Sequence, residues 1–177
     1  MKEILTIDQG TTSSRSIIFN ESFEITQESQ QEYDLSYPKD GWVEADPNDI
    51  LDSVKKTLNT VLNASQSLSN ITGCGITNQR ESTVIWEKSS GNAIYPVIIW
   101  QDRRTSELCN TLKQDSTIVK MISEKTGLLV DPYFSATKIK WILDNVEGAR
   151  TKAENGELAF GTIDSFLIWN LTEEKNH

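Results

Sequence analysis

The fold is decided by the stretch Ile4-Leu5-Thr6-Ile7-Asp8-Gln9-Gly10-Thr11-Thr12-Ser13-Ser14-Arg15-Ser16-Ile17-Ile18-Phe19. Two short apolar runs, residues 4–7 and 17–19, flank a polar turn that contains one glycine and one acid. Apolar runs of this length around such a turn predict two antiparallel β-strands. The chain is therefore expected to begin with a β-hairpin whose tip is rich in chemically active side chains.

The tip of this hairpin can hold a phosphate group. Gly10 can adopt backbone angles closed to other residues, so successive N–H groups around it can converge on an anion. Four hydroxyl donors follow, at Thr11, Thr12, Ser13 and Ser14. Arg15 adds a bidentate cation, and Asp8 would repel the anion unless a divalent cation lay between them. The alternative is an ordinary turn, because Gly, Ser, Thr and Asp are common turn residues and no Walker A lysine is present.

Length and composition exclude several classes of protein. The chain has 177 residues and a formal net charge of −9, which suits one domain with a real core and argues against nucleic acid as a partner. The first residues lead directly into a strand without the apolar segment of a secretory signal, and no run is long enough to span a membrane. Cys74 and Cys109 are expected to be small core residues rather than a disulfide. These features predict a cytoplasmic protein.

The remaining chain predicts an α/β domain with a mixed sheet. Residues 23–33 are expected to add a third antiparallel strand, and residues 47–64 to form an amphipathic helix capped by Asp46. Further strands are predicted at residues 71–77, 82–86, 95–100 and 158–160. Helices are predicted at residues 103–113 and 117–124, and two more are expected to be capped by Ser135 and Thr162.

A second candidate site follows the strand at residues 71–77. Asn78-Gln79-Arg80-Glu81 comes directly after it, and ligand groups in α/β folds lie at strand ends. Arg80 can donate N–H groups to a polyol, and Glu81 can accept from its O–H groups. The alternative is a surface ion pair at a strand end.

Several motifs together resemble the FGGY carbohydrate kinases, and specifically the members that phosphorylate glycerol. Besides residues 8–15, the matching segments in chain order are Gly41-Trp42-Val43-Glu44, Gly75-Ile76-Thr77-Asn78-Gln79-Arg80-Glu81, Trp100-Gln101-Asp102-Arg103-Arg104-Thr105, Thr126-Gly127, Asp131-Pro132-Tyr133-Phe134-Ser135, Lys140-Trp141-Ile142-Leu143 and Gly161-Thr162. The resemblance implies an actin-like, ribonuclease-H-like ATPase lobe. It also implies that residues 1–177 are an incomplete N-terminal domain of a longer enzyme.

The resemblance assigns roles that the residues alone leave open. It implies ATP and Mg²⁺ as reactants, with Asp8 orienting the metal through water and with phosphate held at Gly10, Thr11, Thr12, Ser13 and Arg15. It implies that glycerol is bound by Arg80, Glu81, Trp100 and Tyr133. The catalytic base is expected to be an aspartate beyond His177, so that this chain alone should be inactive. A homo-oligomer is possible for the full-length enzyme, and no membrane partner is expected.

Other functions remain open at this stage. A nuclease of the same fold could use Asp8, Glu81 and another acid to hold two metals. A non-catalytic polyol-binding or assembly module could retain the residues that bind the polyol and lack the site that binds the nucleotide. A kinase of another small polyol or sugar is a third alternative.

Overall fold

The computed structural model describes residues 2–172, in which five strands precede the first helix and further strands and helices follow. The strands are β1 (Glu3–Gln9), β2 (Ser13–Asn20), β3 (Ile25–Glu32), β4 (Leu35–Ser36), β5 (Glu44–Ala45), β6 (Ile71–Thr77), β7 (Val84–Glu87), β8 (Val97–Ile98) and β9 (Leu158–Gly161). The helices are α1 (Pro47–Ala64), α2 (Ser106–Lys113), α3 (Ser116–Thr126), α4 (Ser135–Asn145), α5 (Ala149–Glu154) and α6 (Ile163–Leu171). A single 3₁₀ turn, Leu68–Asn70, precedes β6. The α/β class predicted from the sequence is confirmed.

The main sheet has four strands in the order β3-β2-β1-β6. Its first three strands are antiparallel, and β6 pairs with β1 in parallel, so the predicted mixed sheet is confirmed. In this register Asp8 lies opposite both Arg15 on β2 and Thr77 on β6. The hairpin tip and the end of β6 therefore meet at one edge of the sheet.

Helix α1 covers one face of this sheet, as the sequence predicts. The Asp46 carboxylate accepts from the N–H of Asn48 at 2.8 Å, and Pro47 occupies the first turn, where its missing N–H costs nothing. Ile50, Val54 and Val61 recur at helical spacing and are buried against the strands.

The second half of the chain contains short strands where longer ones are expected. Of residues 95–100, only Val97–Ile98 are strand, because the backbone turns at Ile99, whose carbonyl accepts from the N–H of Asp102 at 2.9 Å. Residues 82–86 are strand only from Val84. Helix α2 begins three residues later than predicted, at Ser106. Strands β7 and β8 and helix α6 contribute buried side chains to the largest apolar core.

Of the two predicted caps of the later helices, Ser135 is not at the N-cap position, whereas Thr162 is but makes no capping hydrogen bond. Phe134 occupies the N-cap position of α4, and the Ser135 hydroxyl lies 3.4 Å from the carbonyl oxygen of Glu81 instead. Thr162 is at the N-cap position of α6, but its hydroxyl donates to Asp164 at 2.5 Å. The prediction for Cys74 is also wrong, because this thiol is exposed on β6, whereas Cys109 is buried and both are free. No helix among residues 2–172 is long and apolar enough to cross a membrane.

A buried arginine joins the two halves of the structure. The Arg104 side chain is fully buried, and its guanidinium pairs with Glu44 at 2.7 Å and with Asp102 at 2.8 Å. Asp102 also accepts from the N–H of Val43 at 2.7 Å, and the Trp42 ring lies 3.8 Å from the guanidinium carbon. Burial alone would lower the pKa of Arg104, but the hydrogen bonds that it donates to Asp102 and Glu44 outweigh burial and raise the pKa. The group therefore stays charged and fixes the loop that leads from Trp100 to α2.

Replacing Arg104 with methionine should destabilise the chain by about 3–5 kcal/mol, because two buried carboxylates lose their counter-ion. The matched control is Arg103→Met, whose side chain is 55% exposed and pairs with Asp131 at 3.1 Å. That change should cost less than about 1 kcal/mol. Urea unfolding of both variants measures the difference. Equal midpoints for the two variants would contradict a structural role for the buried arginine.

Candidate functional site

The hairpin tip is a tight turn between β1 and β2. The N–H of Gly10 donates to the carbonyl of Ser13 at 2.8 Å, and a Cβ at Gly10 would lie 3.2 Å from that same oxygen. Gly10 is thus required for close backbone approach. The sequence predicts that Gly10 adopts backbone angles closed to other residues and offers its N–H to an anion. This prediction is wrong, because Gly10 does not have a positive φ and its N–H is already bonded within the turn.

Some side chains at the tip are free of partners in the segment that the structure describes, and others are bonded to strand β3. Asp8 and Thr12 are exposed and make no side-chain hydrogen bond to any other residue within 2–172, whereas Ser13 accepts from Gln30 at 3.1 Å. Arg15 bonds to Gln30 at 2.8 Å and pairs with Glu28 at 3.4 Å across the β2–β3 ladder.

Ser14 does not belong to the exposed tip. Its side chain is buried and accepts from the Ser53 hydroxyl on α1 at 2.8 Å, because alternate residues of β2 face the helix. The expectation that Ser14 would offer its hydroxyl to a phosphate is therefore wrong.

Three of the four residues expected to bind a polyol line one cleft. Arg80, Trp100 and Tyr133 surround a volume of about 290 Å³ together with Asn78 and Gln79. The Trp100 and Tyr133 rings meet edge to face with centroids 5.9 Å apart. Arg80 extends into solvent without a hydrogen bond or ion pair to the described part of the chain. The cleft therefore combines an aromatic wall with a free guanidinium.

Glu81 is held next to this cleft by α4. Its carboxylate lies 3.4 Å from the Ser135 hydroxyl, and its carbonyl oxygen accepts from Lys138 Nζ at 3.0 Å. The same ammonium donates to the carbonyl of Tyr133 at 2.5 Å. Lys138 is fully buried, and this burial lowers its pKa to about 8, although the negative charges of Glu81 and Asp102 act to raise it. One lysine thus fixes the backbone of two of the expected polyol residues.

The hairpin tip and the cleft are in direct contact. The indole N–H of Trp100 donates to the Thr11 hydroxyl at 3.1 Å. Gln79, in the loop that carries Arg80, donates to the side chain of Gln9 at 3.0 Å and to the carbonyl of Gly10 at 3.1 Å. An anion at the tip and a polyol in the cleft would therefore be neighbours.

Sequence reasoning missed the supporting role of four buried or half-buried polar residues. Gln9, Tyr33 and Gln79 form a hydrogen-bonded cluster behind the tip, and Lys138 supports the cleft. Two signals could have found members of this set. Gln9 continues the inward alternation of Leu5 and Ile7 on β1, and Lys138 precedes the buried Ile142 by four residues on α4. A polar residue in a buried periodic position requires a partner.

The chemistry of the tip suits a phosphate whose charge is shared with a cation. Asp8 is an exposed carboxylate, and the neighbouring hydroxyls can donate. Within residues 2–172 no group of three acids, histidines or cysteines could hold a metal ion.

Comparison with known proteins gives consistent results. The sequence model described as the FGGY family of carbohydrate kinases, N-terminal domain, matches residues 3–177. Glycerol kinase from Alteromonas mediterranea is 59% identical over 177 residues, which are 99% of this chain and 36% of that protein. Glycerol kinase from Borrelia garinii subsp. bavariensis is 56% identical over 178 residues, which are 100% of this chain and 35% of that protein. The chain thus spans about a third of the length of these curated relatives.

A solved structure agrees with the fold. The crystal structure of Plasmodium falciparum glycerol kinase with ADP superposes with a TM-score of 0.90 at 32% sequence identity. The match covers 98% of this chain and 35% of that chain. The architecture described above is therefore the actin-like ATPase lobe that the sequence predicts, and this chain belongs to the FGGY family of carbohydrate kinases.

Proposed function

We propose that the protein containing this chain is an ATP-dependent glycerol kinase, which transfers the γ-phosphoryl of Mg-ATP to a primary hydroxyl of glycerol. The products are glycerol 3-phosphate and ADP. The observation that carries this proposal is the hydrogen bond from Trp100 to Thr11, because it brings a polyol-sized cleft against the hairpin tip. Phosphoryl transfer is mainly a matter of positioning and charge stabilisation, which two adjoining sites supply.

The cleft suits a small triol. The Trp100 and Tyr133 rings offer a wall for the carbon side, and the Tyr133 hydroxyl can bond to an oxygen of the substrate. Arg80 can donate to substrate hydroxyls, and Glu81 can accept from them. Lys138 keeps Glu81 and Tyr133 in place through their carbonyls. Curated relatives at 56–59% identity are named glycerol kinases, which supports glycerol over longer sugars.

The hairpin tip suits the phosphates of the nucleotide. Thr11, Thr12 and Ser13 can donate their hydroxyls to a phosphate at the turn, whose tight closure requires glycine at position 10. Arg15 would leave Glu28 to reach a phosphate. That exchange is cheap, because both side chains are about 42–43% exposed and a surface pair contributes little.

Asp8 fits a water-mediated role towards magnesium. It is a single exposed carboxylate at the tip, and its charge next to a phosphate is tolerable only with a cation between them. Magnesium usually keeps several waters and binds through one or two carboxylates and the substrate phosphates. The bound metal would neutralise charge on the phosphate oxygens.

The catalytic base is proposed to lie outside this chain. The single histidine of the sequence, His177, falls outside the described residues, and Asp8 and Glu81 have other roles. A general base contributes roughly 10² to 10⁴ in rate, and positioning of both substrates about 7–11 kcal/mol. An aspartate downstream of His177 would supply the base, and a second lobe that closes over the site would complete the positioning and exclude water.

The proposal predicts that the full-length protein makes glycerol 3-phosphate from glycerol and Mg-ATP at an ordinary enzymatic rate of about 1 to 10³ per second. The 177-residue chain alone should not, because the base and the closing lobe are missing. A coupled ADP-release assay with and without EDTA measures both proteins. A full-length protein that binds glycerol but never releases ADP would favour the non-catalytic polyol module. Turnover by the chain alone would place the base within it.

Replacing Arg80 with alanine in the full-length protein should weaken glycerol binding by about 1–3 kcal/mol, because the substrate hydroxyls lose a donor. The affinity for Mg-ATP should change little. The control is Arg150→Ala, an exposed arginine that pairs with Asp144 on α4, away from the cleft. Calorimetric titration with each ligand separately gives the two affinities. Equal losses for glycerol and ATP would argue against the assignment of Arg80.

A further inference from the structure

The carbonyl oxygen of Gly10 is the centre of a hydrogen-bond cluster behind the hairpin tip. It accepts from Tyr33 OH at 2.6 Å, from Gln9 Nε2 at 2.6 Å and from Gln79 Nε2 at 3.1 Å. A carbonyl has two lone pairs, so two of these three neighbouring donors are enough to satisfy it fully and leave it little freedom to move. The backbone at the tip is therefore held by side chains from three separate segments of the chain.

Tyr33 is the group that completes this cluster. Its hydroxyl donates to Gly10 and accepts from Gln9 Nε2 at 2.8 Å. Gln79 Nε2 also lies 3.0 Å from this hydroxyl and shares its two hydrogens among Tyr33, Gln9 and Gly10. The N–H of Tyr33 also donates to the carbonyl of Thr12 at 3.1 Å. Burial raises the pKa of Tyr33 to about 12, although the two amides lower it, so the phenol keeps its proton at neutral pH. One residue just after β3 thus holds two carbonyls of the tip.

The cluster continues into the polyol cleft and returns to the tip. Gln79 Oε1 accepts from the buried hydroxyl of Ser82 at 2.8 Å, and that hydroxyl accepts from the N–H of Trp100 at 3.0 Å. The Trp100 indole then donates to Thr11, next to Gly10. These hydrogen bonds run from Gly10 through Gln79, Ser82 and Trp100 to Thr11, and the peptide bond between Gly10 and Thr11 closes the path. The path contains parts of both proposed substrate sites.

We propose that Tyr33 is a positioning residue for phosphoryl transfer, whose hydroxyl fixes the Gly10 carbonyl and thereby sets the hairpin tip against the polyol cleft. This inference rests on the proposed kinase function. Tyr33 acts through Gly10 and Gln79 and does not line the cleft. In-line transfer depends on alignment, and a misplacement of about 1 Å can cost roughly a hundredfold in rate.

The test is Tyr33→Phe in the full-length protein, which removes one oxygen and keeps the ring. The control is Tyr37→Phe, because Tyr37 is exposed and its hydroxyl makes no hydrogen bond to the residues that the structure describes. Tyr33→Phe should lower kcat by about tenfold or more, while KM for glycerol changes by less than about threefold. Tyr37→Phe should change neither. Gln79→Met, which removes a second donor to Gly10, should repeat the loss of kcat.

A merely structural role gives a different pattern. It would lower the melting temperature and reduce the affinities for glycerol and Mg-ATP alike, and that result would overturn the proposal. So would a kcat for Tyr33→Phe equal to that of Tyr37→Phe.

Calorimetric binding of Mg-ADP separates this inference from the proposed function. If the wild-type protein phosphorylates no glycerol, the kinase assignment fails by itself. Tyr33→Phe should then still bind Mg-ADP about fivefold or more weakly than Tyr37→Phe, because the tip has lost its support. Equal ADP affinity of the two variants in a protein without kinase activity would overturn the role of Tyr33.

Discussion

The carbonyl oxygen of Gly10 is the point on which the site depends. Three side chains donate to it, from β1, from the residue that follows β3 and from the loop that follows β6. These segments are adjacent because the sheet order is β3-β2-β1-β6. The parallel pairing of β6 with β1 is what brings the Arg80 loop beside the hairpin tip. A change in that register would separate the proposed polyol and phosphate sites.

Buried cations and hydroxyls support the other side of the site. Lys138 fixes the carbonyls of Glu81 and Tyr133, and Arg104 fixes the loop after Trp100 through Asp102. Both cations are fully buried and satisfied by hydrogen bonds, as burial of charge requires. Exposed groups such as Arg80 and Asp8 remain free of partners in the described chain, so they are available to ligands. Buried residues thus position the site, and exposed residues remain available to bind its ligands.

The hairpin and α1 could be predicted from the sequence because their apolar residues follow periods of 2 and 3.6 and their ends carry clear turn and cap residues. No local sequence pattern relates Arg80, which follows β6, to Tyr133, which lies about 50 residues later. Their grouping with Trp100 was predicted only from the motif resemblance. The partners of Arg15 depend on the β2–β3 register, which places Gln30 opposite it. The inward orientation of Ser14, and the use of Ser135 near Glu81 rather than as a cap, depend on tertiary neighbours. Such contacts are set by packing and not by local sequence.

The hydrogen bond between Trp100 and Thr11 tests most directly whether the two sites act as one unit. Trp100→Phe removes the indole donor together with one ring, and Thr11→Val removes the acceptor hydroxyl with little change of shape. A double-mutant cycle on kcat/KM in the full-length protein measures the coupling between the two positions. The account predicts a coupling energy of about 1 kcal/mol or more, whereas the pair Trp100→Phe and Thr12→Val, which shares no hydrogen bond, should be additive within about 0.5 kcal/mol. Additive effects of Trp100→Phe and Thr11→Val would show that the polyol cleft and the hairpin tip are independent, and would contradict it.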